Sequence, residues 1–181
     1  DVTIANVSDA RGCLAVTGPR AREVMAQLSD ADFTGAGFPW LSAREIEVAG
    51  YPALALRVSY AGELGWELYL PAEHLTKVYD ALFEAGEAHG IANFGFYALN
   101  SLRMEKAYRG FGTELTNEVS PLDAGMERFV DWDKANFLGR EALLARHHDP
   151  ARGNHRARLP VLVIVALPAA DEADAGGRAD V

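Results

Sequence analysis

The sequence predicts an α+β domain of ferredoxin-like kind, in which a mainly antiparallel sheet carries helices on one face. Three observations predict it. Apolar residues recur at period two over residues 43–49, 53–60 and 66–70; apolar residues recur at helical spacing from Leu75 to Phe83; and the strands in between are joined by connections too short for parallel crossovers.

Cys13, Leu14, Ala15 and Val16 form an apolar stretch that stops at Thr17, Gly18 and Pro19, so a strand is followed by a helix through Leu28 with Pro19 in its first turn. Ile46 and Val48 alternate with glutamates, and Leu54, Leu56, Val58 and Tyr60 alternate in turn, so two strands meet at Gly50, Tyr51 and Pro52. Trp66, Leu68 and Leu70 continue the alternation past Gly62 and Gly65, which predicts a second hairpin. Leu75, Val78, Tyr79, Leu82 and Phe83 predict an amphipathic helix over 73–89, stopped by Gly90. A less regular helix is expected over 97–108 and a short one over 138–146. Between them Ser120, Pro121 and Asp123 read as a cap, a first-turn proline and a first-turn acid. Leu159–Leu167 reads as a β-branched strand after a polar linker, and residues 169–181 resemble an unfinished loop or tail. A domain of residues 1–149 is therefore expected, followed by a linker and the truncated start of a second domain over 150–181.

At 181 residues with 49% hydrophobic content, the chain has material for a real core, and overall disorder is excluded. Seventeen Lys plus Arg against 26 Asp plus Glu, a formal charge of −9, argue against a surface that binds phosphate backbones. The single cysteine, Cys13, can form neither an internal disulfide nor a cysteine cluster for a metal. The longest apolar run, Val161–Leu167, is far shorter than the roughly 20 residues a membrane-spanning helix needs, so no membrane partner is expected. The chain opens at Asp1 without Met or a signal segment, and it is expected to be part of something larger, with some apolar surface awaiting neighbours.

Familiar catalytic patterns are mostly missing. Gly35 and Gly37 begin a dinucleotide-like turn, but Pro39 interrupts it and Trp40 stands where the third glycine belongs. His147 and His148 are adjacent with no third ligand at a metal spacing, and read as a solvated helix end. The segment Arg57–Glu67, RVSYAGELGWE, stands out because a hairpin tip with aromatics on both sides and two carboxylates can set a stacking surface beside an acceptor for paired N–H donors. The plainer reading packs Tyr60 and Trp66 into the core and pairs Glu67 across with Arg57 or Ser59. Strict alternation also puts Glu67 on the opposite face from Tyr60 if Tyr60 pairs with Trp66, so both reach one ligand only through a bulge. In the second notable segment, YALNSLRMEKAYRGFG, Arg103 lies one helical turn from Leu99 and Ala107. It can leave the helix toward a ligand carboxylate or a buried acid, with intrahelical or interdomain ion pairing as the alternative.

Together these segments resemble the folate-binding aminomethyltransferase family typified by the glycine-cleavage T-protein. Arg57, Tyr60, Gly62, Glu63, Gly65 and Glu67 match its hairpin signature, and SLRMEKAYRGFGTEL, SPLDAGMERFV and NFLGREAL are most similar to the folate domains of dimethylglycine and sarcosine dehydrogenases. The resemblance covers residues 12–146. It implies that Tyr60 and Glu67 contact the pterin of tetrahydrofolate, that Tyr108 lines the folate channel, and that Arg103 belongs to the same cofactor-binding set or supports it. A carboxylate accepting both the 2-amino group and the ring N–H of a pterin would reject rings lacking them. Leu99 stands where the T-protein has an arginine.

The resemblance further implies a part of a larger enzyme that oxidises a small N-methyl amine and captures its carbon on tetrahydrofolate as 5,10-methylenetetrahydrofolate. The isolated fragment is expected to be inactive. The family's acid, FAD and its domain would lie upstream of residue 1, and a C-terminal β-barrel would begin near Leu159. Alternatives are a stand-alone aminomethyltransferase working with a lipoyl carrier protein, a non-catalytic folate-binding relative, and an inert module. Cys13, in Arg-Gly-Cys-Leu, is misplaced for the non-catalytic branch. No metal and no nucleic acid are expected, and the cytoplasm is the expected location.

Overall fold

The computed structural model describes residues 2–149, which form two compact units, one up to Leu102 and one from Arg103 onward. The strand expected over 159–167, the linker and the barrel start lie outside the described residues.

The first unit contains β1 (Arg11–Thr17), α1 (Ala21–Leu28), β2 (Ala43–Val48), β3 (Tyr51–Leu56), β4 (Gly65–Pro71) and α2 (Leu75–Gly86). α3 (Phe96–Glu105) begins in this unit and ends in the second, which also holds α4 (Arg140–His148). The four strands make one sheet in the order β1-β4-β3-β2, and every neighbouring pair is antiparallel. The expected α+β class with an antiparallel sheet is therefore present, but the ferredoxin-like arrangement is not: α2 follows β4, where that arrangement places its second helix before the last strand. No helix among the described residues is long and apolar enough to cross a membrane.

Alternation decides which side chains enter the core. On β4, Trp66, Leu68 and Leu70 are buried, and their register partners on β1 are Val16, Leu14 and Gly12. Ala53 and Ala55 of β3 and Val48 of β2 join them on the same face, over which α1 lays Ala21, Val24 and Met25 and α2 lays Val78 and Leu82. Phe33 and Phe38, from the connection between α1 and β2, set their rings edge-on to Trp66 at 5.2 and 6.1 Å. This is the favoured quadrupolar arrangement. α2 ends through a short 3₁₀ turn at Gly90, whose φ of 71° closes the helix as expected. Pro19 sits ahead of α1 rather than within it, in a turn closed by the Ala21 N–H on the Gly18 carbonyl at 3.0 Å.

Several element ends lie one to four residues from those expected, and two departures have a visible cause. The strand expected over 53–60 ends at Leu56: Arg57 still bonds the segment ahead of β2, donating to the Ser42 carbonyl and accepting from Leu41 N–H, but Val58 N–H folds back on the Leu56 carbonyl at 2.9 Å. That three-residue turn ends the ladder to β4. The cap at Ser120 closes one turn and no helix: Ser120 Oγ accepts the Asp123 N–H at 3.2 Å and the Ser120 carbonyl accepts from Ala124. Exposed aromatic side chains do occur, among them Phe96, Tyr97 and Phe111.

Leu68 is fully buried between Leu14 and Ala55 on the central part of the sheet. Leu68→Ala is expected to cost about 2–5 kcal/mol, read as a fall in the urea unfolding midpoint of the first unit.

Candidate functional site

The loop over residues 57–64 leaves β3 at Leu56, the register partner of Glu67, and rejoins the sheet at Gly65, two residues before Glu67. Its construction is mostly structural. Arg57 is buried, donates from Nη1 to the Phe38 carbonyl at 2.7 Å, and lies 6.0 Å from the Trp66 ring. It therefore points into the core, away from Glu67. Ser59 Oγ bonds Thr17 Oγ1 at 2.9 Å, tying the loop to β1. Neither residue is the cross-strand partner of Glu67; that position belongs to Leu56 on one side and Ala15 on the other.

Two glycines are required here. Gly62 has φ 78° in the turn closed on the Ser59 carbonyl, a conformation that costs other residues about 1 kcal/mol or more. A Cβ on Gly65 would stand 2.7 Å from the backbone oxygen of Val16, so the closest approach of β4 to β1 excludes any side chain.

Glu67 alternates with Trp66 and Leu68 and so faces the side of the sheet opposite α1 and α2. Tyr69, two residues on, shares that face and donates its hydroxyl to Glu67 Oε2 at 2.7 Å. The bond, with partial burial and the charge of Glu67 adding to it, pushes the Tyr69 pKa up to about 12, so the hydroxyl stays a donor across the physiological range. Oε1 of Glu67 accepts no hydrogen bond among the described residues. Cys13 is the register partner of Tyr69; it is exposed as a residue, yet partial burial and then the charge of Glu67 raise its thiol pKa. Tyr60 is in the loop and not in a strand, 38% exposed, so strict alternation does not govern where its ring lies.

In the second unit Arg103 is 2% exposed and forms a two-armed pair with Glu114, at 2.7 and 3.1 Å. The acid that this arginine meets, Glu114, is half-buried. Arg103 Nη1 also donates to the Tyr108 carbonyl at 2.8 Å. Glu114 Oε2 further accepts the Gly110 N–H at 2.6 Å and the Thr113 hydroxyl at 2.8 Å. The loop that carries half-buried Tyr108 is thus organised around one carboxylate. These bonds, the Arg103 bond foremost, hold the Glu114 pKa down at about 2.

His147 pairs with Glu127 at 3.0 Å and stacks against Trp132, and no group of three or more metal-ligating side chains occurs among the described residues. Sequence reasoning missed Tyr69 and Glu114. The two-residue spacing in a strand was a usable signal for the first; nothing in the spacing of Arg103 and Glu114 announces the second.

The family model described as the GCVT N-terminal domain matches residues 1–134. The chain belongs to this family. It is similar to the mitochondrial dimethylglycine dehydrogenase of Homo sapiens, with 46% identity over 144 residues, covering 79% of this chain and 17% of that protein. An aminomethyltransferase of Caldanaerobacter subterraneus subsp. tengcongensis is 38% identical over 143 residues, 79% of this chain and 38% of its own length. The mitochondrial sarcosine dehydrogenase of Mus musculus is 40% identical over 138 residues, 75% and 15% respectively. Among solved structures, a heterotetrameric sarcosine oxidase from Corynebacterium sp. U-96 gives a TM-score of 0.45 at 24% identity, covering 51% of this chain and 46% of that one. The chain thus spans well under half the length of these curated relatives. Family membership accords with the resemblance carried by residues 57–67 and by the segment around Arg103.

Glu114→Gln is expected to destabilise the second unit by about 3 kcal/mol at neutral pH, since its pKa lies near 2 in the folded chain against 4.5 ordinarily. The folded pKa is depressed, so the stabilisation is complete above about pH 4.5 and fades as pH falls toward 2. The difference in unfolding free energy between wild type and variant, followed from pH 7 to 2, should shrink over that window.

Proposed function

We propose that this chain supplies the pterin-binding face of a tetrahydrofolate-dependent one-carbon transfer enzyme, of the dimethylglycine or sarcosine dehydrogenase kind. The observation that carries the reading is Glu67: a half-buried carboxylate on the face of the sheet away from the helices, held by Tyr69 on one oxygen and with the other open to a donor. The fit to a pterin is one of donor and acceptor chemistry. A carboxylate accepts two parallel N–H bonds, and Ala15 and Leu56 beside Glu67 offer apolar surface without competing donors.

In this reading Glu67 accepts from the 2-amino group and ring N–H, and Tyr60 contacts the ring. Within the second unit, Arg103 acts through Glu114 and the Tyr108 carbonyl to hold the loop that carries Tyr108. When bound, tetrahydrofolate supplies the nucleophilic nitrogen that takes up the one-carbon unit. The residues of this chain orient it and limit access of water, which makes capture of a reactive electrophile close to intramolecular. FAD, the acid near the reacting nitrogen and the site for the N-methyl amine are assigned to parts of the protein outside this sequence, and the cytoplasm is proposed as its compartment.

Leu99 favours the dehydrogenase reading over a stand-alone aminomethyltransferase partnered by a lipoyl carrier, because it occupies the position where the T-protein pattern has an arginine. The test is calorimetric titration of the intact gene product with tetrahydrofolate. Glu67→Gln is expected to weaken binding by about thirtyfold or more, the worth of a charge-assisted bond pair. Unchanged affinity in a folded variant would overturn the reading.

A further inference from the structure

We infer that Tyr69 is a positioning residue for Glu67: its hydroxyl, donating to Oε2 at 2.7 Å from the same face of β4, sets the plane of the carboxylate so that its remaining lone pairs face the ligand side. The inference rests on the reading of Glu67 as the pterin acceptor and adds to it a determinant of selectivity.

The argument starts from the freedom of the side chain. A glutamate has three side-chain torsions, and the last of them, which turns the carboxylate plane, is broad and weakly preferred. Recognition of two parallel N–H donors demands that plane in one orientation. The register partners of Glu67, Ala15 and Leu56, carry no polar atom with which to orient it. Tyr69 does, and it reaches Glu67 along the strand because residues i and i+2 share a face.

Tyr69 is suited to this role in two further respects. Each carboxylate oxygen has two lone-pair positions, so Oε2 can accept from Tyr69 and still accept from a ligand. The phenol ring, half-buried between Cys13 and Leu54 in the register, limits the torsions of its own hydroxyl carrier. A serine at this position would be too short to do the same, and an amide would bring an acceptor that competes for the ligand's donors.

The experiment compares Tyr69→Phe with wild type in the intact gene product, by calorimetric titration with tetrahydrofolate and with its 2-desamino-2-methyl analogue, which lacks the amino donor. Phenylalanine keeps the ring packing and removes only the hydroxyl. Tetrahydrofolate is expected to bind about tenfold more weakly, the analogue to change by less than about threefold, and the ratio of the two affinities to fall accordingly. Unchanged tetrahydrofolate affinity, or equal losses for both ligands, would overturn the inference, since a merely structural role predicts equal losses. If Glu67→Gln leaves tetrahydrofolate binding intact, the parent reading fails on its own, whatever Tyr69→Phe does.

Discussion

The arrangement of the first unit depends on the register of β4. This strand is hydrogen-bonded on both sides, to β1 and β3, and its alternation sends Trp66, Leu68 and Leu70 into the core while Glu67 and Tyr69 face the other way. A slip of one residue would bury the carboxylate and expose the tryptophan. Such a slip is opposed by the whole aromatic cluster around Trp66 and by the lack of room for any side chain at Gly65. Stability and site are therefore set by the same constraint.

That constraint explains why most of the conspicuous residues in the 57–67 segment serve the scaffold. Arg57 is consumed by the Phe38 carbonyl and the face of Trp66, Gly62 provides the left-handed turn, and Gly65 permits the approach to β1. Left outside the scaffold are Glu67, bonded by Tyr69, and the exposed ring of Tyr60 on the loop. The second unit solves a different problem. It has few fully buried apolar side chains among its described residues, and its 103–115 segment is held by a polar centre in which Glu114 gathers a guanidinium, a backbone N–H and a hydroxyl. Such a centre is stable only while complete, because removing one partner leaves a buried charge unpaired.

Much of the fold was legible from the sequence, because the signals that define strands and amphipathic helices are local. The period-two runs around Ile46, Leu54 and Leu68 and the helical spacing from Leu75 to Phe83 each reflect a surface half of which must be buried. Tyr60, Glu67 and Arg103 could likewise be singled out by residue type and spacing, and Tyr108 through the family resemblance. The end of β3 at Leu56 was not legible, because the apolar alternation runs on through Val58 and Tyr60 while the backbone turns at Val58, whose N–H folds back on the Leu56 carbonyl.

By itself the sequence determined the α+β class, the order of the elements, the family and the residue types available for binding an uncharged ring edge, since these follow from composition, periodicity and motif. The tertiary structure alone decided that Arg57 belongs to the core, that Tyr60 lies off the strand, that Glu67 is partnered by Tyr69, and that Arg103 is committed to Glu114. The physical reason is common to all four. Each depends on which backbone groups the strand ladders leave unpaired and on which side chains share a face, and both are properties of strand pairing and packing that no single stretch of chain contains.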